Sequence, residues 1–372
     1  MERGSFAVST LPSPISALQS LMFFRFDQKP ILSYNRLDSK LCIVFVKRKE
    51  DSMSQHLLHL FSGTANRPLA ERIAECLQMS LGACETKHLP DTEVYVEIHE
   101  AIRSQDIFFI QPCSAPVNDN LMELLLYIDA FRRASAHSIT VVVPYFPYSR
   151  QERMAHGREA ISARVVARML QTLGVTRVVY VDIHAEATQG FFDIPVDPLS
   201  ARKVFIDYFE NKTLENPIIV APDVGRAKLA GRYAEAMGLP LALMHKRRLS
   251  HSEVENSHVV GDLKDRTPIV IDDMIAGGSI LTQLSALVEA GARPEIYLAI
   301  THPILLPTAL ARLDNPIIKE LVVTDTVLIP PAKQHPKLVV LSLAPLLADA
   351  IERIHAARTI SPLLKLTPQE WD

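Results

Sequence analysis

Two adjacent carboxylates, Asp272 and Asp273, come directly after the apolar run 268–271. Ionised carboxylates only accept hydrogen bonds, so a neighbouring pair suits the two donors of a sugar diol. Small residues follow within a few positions, and glycine-rich turns let backbone N–H groups close around a phosphate. The pattern predicts a site for a phosphorylated sugar, and the alternative is an ordinary strand-to-helix turn with Asp273 on the surface. The small residues are Gly277, Gly278 and Ser279.

A histidine and an aspartate end two further strand-like runs. His184 follows the run 177–182 closely, and Asp223 follows the run 218–221. Side chains at separate strand ends can converge on one divalent ion, and Mg²⁺ that keeps several waters fits ATP chemistry. A histidine in a loop or in the core gives the same pattern, so His184 by itself does not establish a metal site.

Basic residues stand beside two other strand-like runs. Lys246 and Arg248 precede the polar segment 249–258, which has neither a helical nor a strand period. Long polar loops are lids or plain surface, and cations on a lid could neutralise charge during phosphoryl transfer. Arg150 and Gln151 lie beside aromatic residues and suit a nucleotide base or its phosphates. The sequence has no Walker A motif and no GxGxxG motif, the signatures of P-loop kinases and dinucleotide-dependent dehydrogenases.

The elements that position these residues are predicted as strands alternating with amphipathic helices. Continuous Val/Ile/Leu runs suit strands buried on both faces of a parallel sheet. Apolar stripes predict helices over 121–128, over 165–173 with Gly174 as the stop, and over 280–288. The alternation predicts an α/β fold with two doubly wound domains. The predicted strands are 57–61, 106–111, 139–144, 177–182, 218–221, 268–271, 295–300, 320–323 and 338–341.

Bulk composition excludes some partners. The 372 residues carry a net charge of −3, which argues against nucleic acid or an anionic membrane held by bulk electrostatics. The four cysteines form no CxxC pair, which fits a reducing, cytoplasmic setting. No apolar run approaches the roughly 20 residues of a membrane span. Residues 1–54 are rich in basic residues, prolines and serines, and we expect an extension that is disordered, transit-like or upstream of a true start at Met53.

Five further stretches carry a resemblance to a known family. Together with the motifs above, they make the chain from Leu57 to about Ile354 resemble the ribose-phosphate diphosphokinases. The resemblance implies type I phosphoribosyltransferase folds at 55–198 and 199–343, with the active site in the second, and a C-terminal helix and tail at 344–372. It also implies a homohexamer built from dimers, with regulation by phosphate or ADP. The stretches are 114–124, 190–197, 260–262, 322–326 and 343–347.

The same resemblance implies an activity and a set of roles. The enzyme would transfer the diphosphate of Mg-ATP to C1 of ribose 5-phosphate, for nucleotide biosynthesis. Positioning, Mg²⁺ and cations would supply most of the catalysis, with no protein nucleophile. The implied residues are Lys246 and Arg248 as catalytic cations; Arg150, Gln151 and His184 for ATP, with Asp91 and Glu93 facing adenine from a neighbouring subunit; Asp272, Asp273, Gly277, Gly278 and Ser279 for ribose 5-phosphate; His184 and Asp223 for Mg²⁺; and Arg103 near the regulatory site.

Three positions depart from the family pattern. Leu89 stands where the family usually has a phenylalanine that stacks on adenine, and Ala155 replaces an acidic residue. The loop 272–280 is one residue shorter than usual and lacks a third aspartate, with Ala276 in that region. Two alternatives therefore stay open. The shortened loop favours a catalytically weak regulatory paralogue, while a phosphoribosyltransferase would need only one such domain.

Overall fold

The structure is a computed structural model that describes residues 32–37, 40–45, 56–247 and 256–364. The chain divides into two compact units, residues 1–53 and 54–372. In the first unit, strand β1 (Leu32–Leu37) pairs antiparallel with β2 (Lys40–Phe45). The segment that we expected to lie outside the fold therefore contains a hairpin of its own.

The second unit begins with a parallel sheet flanked by helices. Its strands lie in the order β3-β6-β7-β8-β9, and every neighbouring pair is parallel. The fourth and fifth strands of the chain form a separate antiparallel hairpin. The elements in chain order are β3 (Leu58–Ser62), α1 (Arg67–Cys76), β4 (Cys84–His88), β5 (Val94–Ile98), β6 (Asp106–Ile110), α2 (Val117–Arg133), β7 (Ser138–Val143), α3 (Ser162–Leu173), β8 (Arg177–Val181) and β9 (Val196–Leu199).

A second, seven-stranded sheet follows. Its order is β12-β11-β10-β13-β14-β15-β16, in which β12 alone of these strands runs antiparallel to its neighbour. The elements are α4 (Arg202–Glu210), β10 (Pro217–Ala221), α5 (Ala227–Met237), β11 (Leu241–Arg247), β12 (Asn256–Val260), β13 (Thr267–Ile275), α6 (Ser285–Glu289), β14 (Ile296–Pro303), α7 (Pro307–Arg312), β15 (Ile318–Thr324), β16 (Leu338–Leu341), α8 (Ala344–His355) and α9 (Ser361–Leu364).

Three hydrophobic clusters hold the second unit together. One joins buried residues of both sheets, from Leu60 and Val181 in the first to Ile271 and Val322 in the second. The other two lie on the opposite face of each sheet, under α2 and α3 and under α6 and α7. Burial of apolar side chains is the main favourable term in folding, so the central cluster fixes one sheet against the other.

The predicted α/β class with doubly wound sheets is confirmed, and all nine predicted strands are present within a few residues. Helix α3 ends where it was predicted to end, because Gly174 adopts a left-handed conformation with φ of 102°. Two expectations were wrong. Residues 256–258 belong to strand β12, since pairing with β11 compensates for a polar sequence. The stretch 280–288 is a 3-10 turn, Ser279–Thr282, followed by the short helix α6.

Within the part of the chain that the structure describes, no helix is both long enough and apolar enough to span a membrane.

Candidate active site

The predicted acidic pair lies where the carboxyl ends of strands from the two sheets meet. His184 follows β8 of the first sheet, and its Nδ1 lies 2.7 Å from Oδ2 of Asp273 in the second sheet. Asp272 and Asp273 belong to β13, which continues through them to Ile275. Asp273 is buried, so the alternative that placed it on the surface as an ordinary turn residue is wrong.

Arg226 joins these groups, although its sequence position gave it no predicted role. Its Nε lies 3.1 Å from Oδ1 of Asp272, and its Nη2 lies 3.0 Å from Oδ1 of Asp273. Nη2 also lies 2.6 Å from His184 Nδ1, and Nη1 donates to the His184 carbonyl at 3.2 Å. The four side chains form one charged cluster.

Burial and charge act differently on the two carboxyl groups. Burial, reinforced by the neighbouring Asp273, raises the pKa of Asp272 well above its usual range. Burial also disfavours ionisation of Asp273, but the hydrogen bond with His184 and the charge of Arg226 hold the pKa of Asp273 below its usual value. Asp273 is therefore the more strongly ionised member of the pair.

Asp223 lies at the end of β10, next to Arg226. Its Oδ1 accepts a hydrogen bond from the Arg226 backbone N–H at 3.1 Å and caps the 3-10 turn Val224–Arg226. Among the described residues, neither Asp223 nor His184 belongs to a group of three His, Cys, Asp or Glu side chains with ligand atoms within 4.8 Å of one another. An ion held here would depend on water and substrate oxygens for most of its coordination, as Mg²⁺ commonly does.

A buried hydrogen-bond network ties the end of β8 to the second sheet. Asp182 accepts from Thr301 Oγ1 at 2.8 Å, and also from Ser200 Oγ and the Ala201 N–H. His302 Nε2 lies 3.1 Å from the carbonyl of Val181 and 3.2 Å from that of Asp182. Burial holds the pKa of His302 below its usual value, which favours the neutral ring. This network fixes the backbone two residues before His184.

The small-residue loop after β13 packs against the segment that leads into α7. The carbonyls of Ile275 and Ala276 accept from the backbone of 305 and 306. The Gly277 carbonyl accepts from Thr308 and Arg312 side chains. Gly278 has φ of 70°, and a Cβ there would lie 2.9 Å from the Ala309 backbone, so only glycine fits. The predicted helix N-terminus at Ser279 is only a 3-10 turn.

The segment containing Arg150 and Gln151 follows Tyr145, which lies beside His302 of the second sheet. Burial raises the pKa of Tyr145, while the charges of Arg150 and Asp273 act on it in opposite directions. The Tyr145 ring also packs edge-on against His302, with centroids 5.1 Å apart. Gln151 accepts a hydrogen bond from Ser162 at 2.7 Å, which anchors the segment to α3.

Comparison with known proteins places the chain in a family. A family model described as the N-terminal domain of ribose phosphate pyrophosphokinase matches residues 58–174, and one described as a phosphoribosyl synthetase-associated domain matches residues 248–365. The chain is 43% identical over 312 residues to the ribose-phosphate pyrophosphokinase of Nostoc sp., covering 83% of this chain and 94% of that protein. The chain belongs to the ribose-phosphate pyrophosphokinase family.

Other relatives agree with this assignment. Over 310 residues, the chain is 43% identical to the Bacillus caldolyticus ribose-phosphate pyrophosphokinase, covering 83% of this chain and 98% of that protein. The crystal structure of phosphoribosylpyrophosphate synthetase from Mycobacterium smegmatis matches with a TM-score of 0.76 and 40% identity, over 80% of this chain and 98% of that one. The family resemblance inferred from the sequence motifs is confirmed.

Three predicted residues make their contacts away from the acidic pair. Asp91 and Glu93 lie in the turn of the β4–β5 hairpin, where Asp91 Oδ1 accepts from the Glu93 N–H at 3.3 Å. Leu89, in the same turn, is exposed. Arg103 lies before β6 and donates to Ser135 Oγ at 3.1 Å. Their predicted roles, adenine binding across a subunit boundary and regulation, stay predictions.

One of the two predicted catalytic cations, Lys246, lies near the edge of the second sheet. Lys246 is in β11, opposite Ser257 of β12. Arg248 and most of the predicted lid, residues 249–255, lie outside the described residues. Strand β11 runs parallel to β10, whose end carries Asp223, so Lys246 lies toward the same edge of the sheet as the predicted metal residue.

Proposed function

We propose that this chain transfers the diphosphate group of Mg-ATP to C1 of ribose 5-phosphate, giving 5-phosphoribosyl 1-diphosphate and AMP. The C1 hydroxyl attacks the β-phosphorus, the bond between the β-phosphorus and the α,β-bridging oxygen breaks, and the hydroxyl proton is released. AMP keeps the α-phosphate. The reaction requires no covalent intermediate, so the protein acts by positioning and electrostatic stabilisation.

One observation carries this proposal. The residues that the family pattern assigns to metal and to sugar, His184 and Asp273, come from different sheets and lie 2.7 Å apart in the structure. Neither sheet could form this site without the other. The close approach of His184 and Asp273 supports a site that binds two substrates. The chain is also 43% identical to ribose-phosphate pyrophosphokinases over most of its length.

In this proposal, the acidic pair binds the sugar. Asp272 and Asp273 accept hydrogen bonds from the 2- and 3-hydroxyls, and the backbone of Gly277, Gly278 and Ser279 holds the 5-phosphate. The tight packing at Gly278 supports this role, because it keeps a side chain out of the loop. A loop shortened by one residue still presents its backbone N–H groups.

His184 and Asp223 are the proposed holders of Mg²⁺. Possible ligand atoms lie around Arg226: its guanidinium contacts the carboxylates of Asp272 and Asp273 and the His184 imidazole, and its backbone N–H donates to Asp223. When bound, Mg²⁺ would neutralise part of the triphosphate charge. Arg150, Gln151 and His184 contact ATP, while Lys246 and Arg248 offset charge that develops in transfer.

The remaining proposals concern assembly and location. Asp91 and Glu93 complete the adenine site from a neighbouring subunit, in a homohexamer built from dimers. Arg103 lies near a site for phosphate or ADP, and the enzyme acts in the cytoplasm. Its domains are residues 55–198 and 199–343.

The test is an assay of the purified full chain with Mg-ATP and ribose 5-phosphate. AMP is measured by chromatography, and the product by phosphorus NMR, which distinguishes 5-phosphoribosyl 1-diphosphate from free diphosphate. We expect equal amounts of AMP and product, and a large loss of turnover in H184A and D223A. Release of free phosphate, or full activity in both variants, would contradict the proposal.

A further inference from the structure

The acidic pair is held by a residue that has no assigned part in the proposed reaction. Arg226 contacts Asp272 through Nε and Asp273 through Nη2, at 3.1 and 3.0 Å. The same guanidinium reaches the His184 ring and its carbonyl. Because the fork of an arginine is planar and rigid, one side chain bridges both carboxylates in a way that lysine cannot.

Burial makes this contact important. The Arg226 side chain is 15% exposed, and the carboxylates of Asp272 and Asp273 are 18% and 4% exposed. Buried carboxylates stay charged only where a positive group or hydrogen bonds compensate them. Arginine stays protonated at every pH that the protein tolerates. Arg226 therefore balances the charge of the pair.

If the pair binds a sugar, the carboxylate oxygens that now face Arg226 must accept hydrogen bonds from the sugar hydroxyls. Oδ1 of Asp272 and Oδ1 of Asp273 both lie against the guanidinium. Oδ2 of Asp273 lies against His184, and Oδ1 of Asp272 also accepts from the Asp273 N–H. Three of the four oxygens are thus engaged, whereas a diol needs acceptors on both side chains.

We infer that Arg226 is a built-in counter-cation of the acidic pair, which gives way when a divalent cation or a sugar diol takes the carboxylates. The part that concerns the diol rests on the proposed function, and the part that concerns charge does not. The exchange makes Arg226 a positioning residue: it compensates the charge of the acidic pair and holds both carboxyl groups in place before substrate arrives.

A cavity beside Arg226 has room for the displaced side chain. Arg226 lines a cavity of about 540 Å³, together with Glu186, Lys228 and Arg232. Glu186 accepts from Lys228 at 2.7 Å and from Arg232 at 2.6 Å, so a negative group already lies in that direction. The backbone N–H of Arg226 is held by Asp223, so the exchange that we infer moves the side chain and leaves the backbone in place.

The first experiment measures thermal unfolding of the full-length wild type, R226Q and R232Q, with EDTA or with millimolar MgCl₂ at matched ionic strength. R232Q is the control, because it also removes an arginine from this region, but one paired with the exposed Glu186. We expect R226Q in EDTA to melt about 4–8 °C below wild type, since the acidic pair loses its cation. MgCl₂ should restore at least about half of that loss, whereas it should shift wild type and R232Q by less than about 2 °C.

Two results would overturn the counter-cation role. One is a wild-type melting temperature for R226Q in EDTA. The other is an equal loss with and without MgCl₂, which would make Arg226 an ordinary packing contact. Should R226Q fail to fold, the double variant R226Q/D272N removes one positive and one negative charge together. It is expected to fold and to melt closer to wild type, and failure of that rescue also contradicts the inference.

A second experiment tests the exchange with the sugar. Isothermal titration of ribose 5-phosphate in MgCl₂ should give a Kd at least about threefold lower for R226Q than for wild type, because the competing state is removed. A higher Kd for R226Q than for wild type would indicate that Arg226 binds the sugar, and it would contradict the inference. If the wild type forms no AMP while the melting pattern holds, the proposed function fails and the counter-cation role stands.

Discussion

Replacing Thr301 tests how the hydrogen bond between Thr301 and Asp182, which links the two sheets, affects stability and activity. Its side chain is buried on β14, and Oγ1 donates to Asp182 Oδ2 at 2.8 Å. Thr301→Val keeps the branched shape of the side chain and removes the donor. The Thr301 carbonyl still accepts from Thr324 and Thr326, so the change isolates the bond to Asp182.

The expected size follows from the partners of Asp182. A hydrogen bond to a charged group contributes about 1.5–3 kcal/mol. Asp182 keeps Ser200 Oγ at 2.7 Å and the Ala201 N–H at 3.0 Å, so the cost falls toward the lower limit. We expect the free energy of unfolding to fall by about 1.5–2 kcal/mol and the melting temperature by about 2–3 °C. Since Asp182 lies two residues before His184, kcat/KM should fall about tenfold through misplacement of that side chain.

The assay combines thermal unfolding with initial rates on wild type, T301V, T301S and T308V. T301S keeps the hydroxyl and should stay near wild type. Thr308 donates to the Gly277 carbonyl at 3.2 Å from an exposed position, so T308V should change stability by less than about 0.5 kcal/mol. Wild-type stability and rate in T301V, or an equal loss in T301S, would refute the reasoning.

Three other predictions test the proposed roles. Lys246→Ala and Arg248→Ala should each lower kcat by about 10²–10³ with little change in KM, as expected for residues that stabilise charge in the transition state. A change in KM alone would indicate that these residues bind the ground state. Leu89→Phe should sharpen the preference for ATP over GTP, because aromatic stacking contributes about 1–3 kcal/mol per base; equal preference before and after would contradict this. Insertion of one aspartate after Ile275, giving an Asp-Ala-Gly-Gly-Ser loop, should lower KM for ribose 5-phosphate by about 10-fold or more with kcat nearly constant. Turnover that appears only after insertion would instead favour a regulatory subunit.

The nine predicted strands could be read from the sequence because each contains an apolar run, although the edge strand β16 is only half-buried. Strands β6 and β14 are buried at every position, and most of their residues are apolar. Strands β4 and β5 were not predicted, since every residue in this hairpin keeps some exposure and β4 is mostly polar. The edge strand β12 was missed because it is defined by pairing with β11, a contact that local periodicity cannot show.

The candidate site was only partly predictable for a similar reason. His184, Asp272 and Asp273 follow apolar runs, and strand ends are where such folds gather ligands. Arg226 has no such signal, because its partners lie 42 or more residues away in the chain. The link from Asp182 to Thr301 spans 119 residues. Contacts of this range depend on how one sheet packs on the other, which no local pattern encodes.

Because the site takes side chains from both sheets, any contact that sets their relative position becomes part of its geometry. Asp325, at the end of β15, accepts from Arg72 of α1 at 3.0 Å, and its carbonyl accepts from Asn66 at 2.8 Å. Asp325 also holds the start of α8 through the Leu343 N–H. Loss of these hydrogen bonds of Asp325 would leave each sheet folded and still shift His184 relative to Asp273. Activity should therefore be lost before the fold is lost when this junction is weakened.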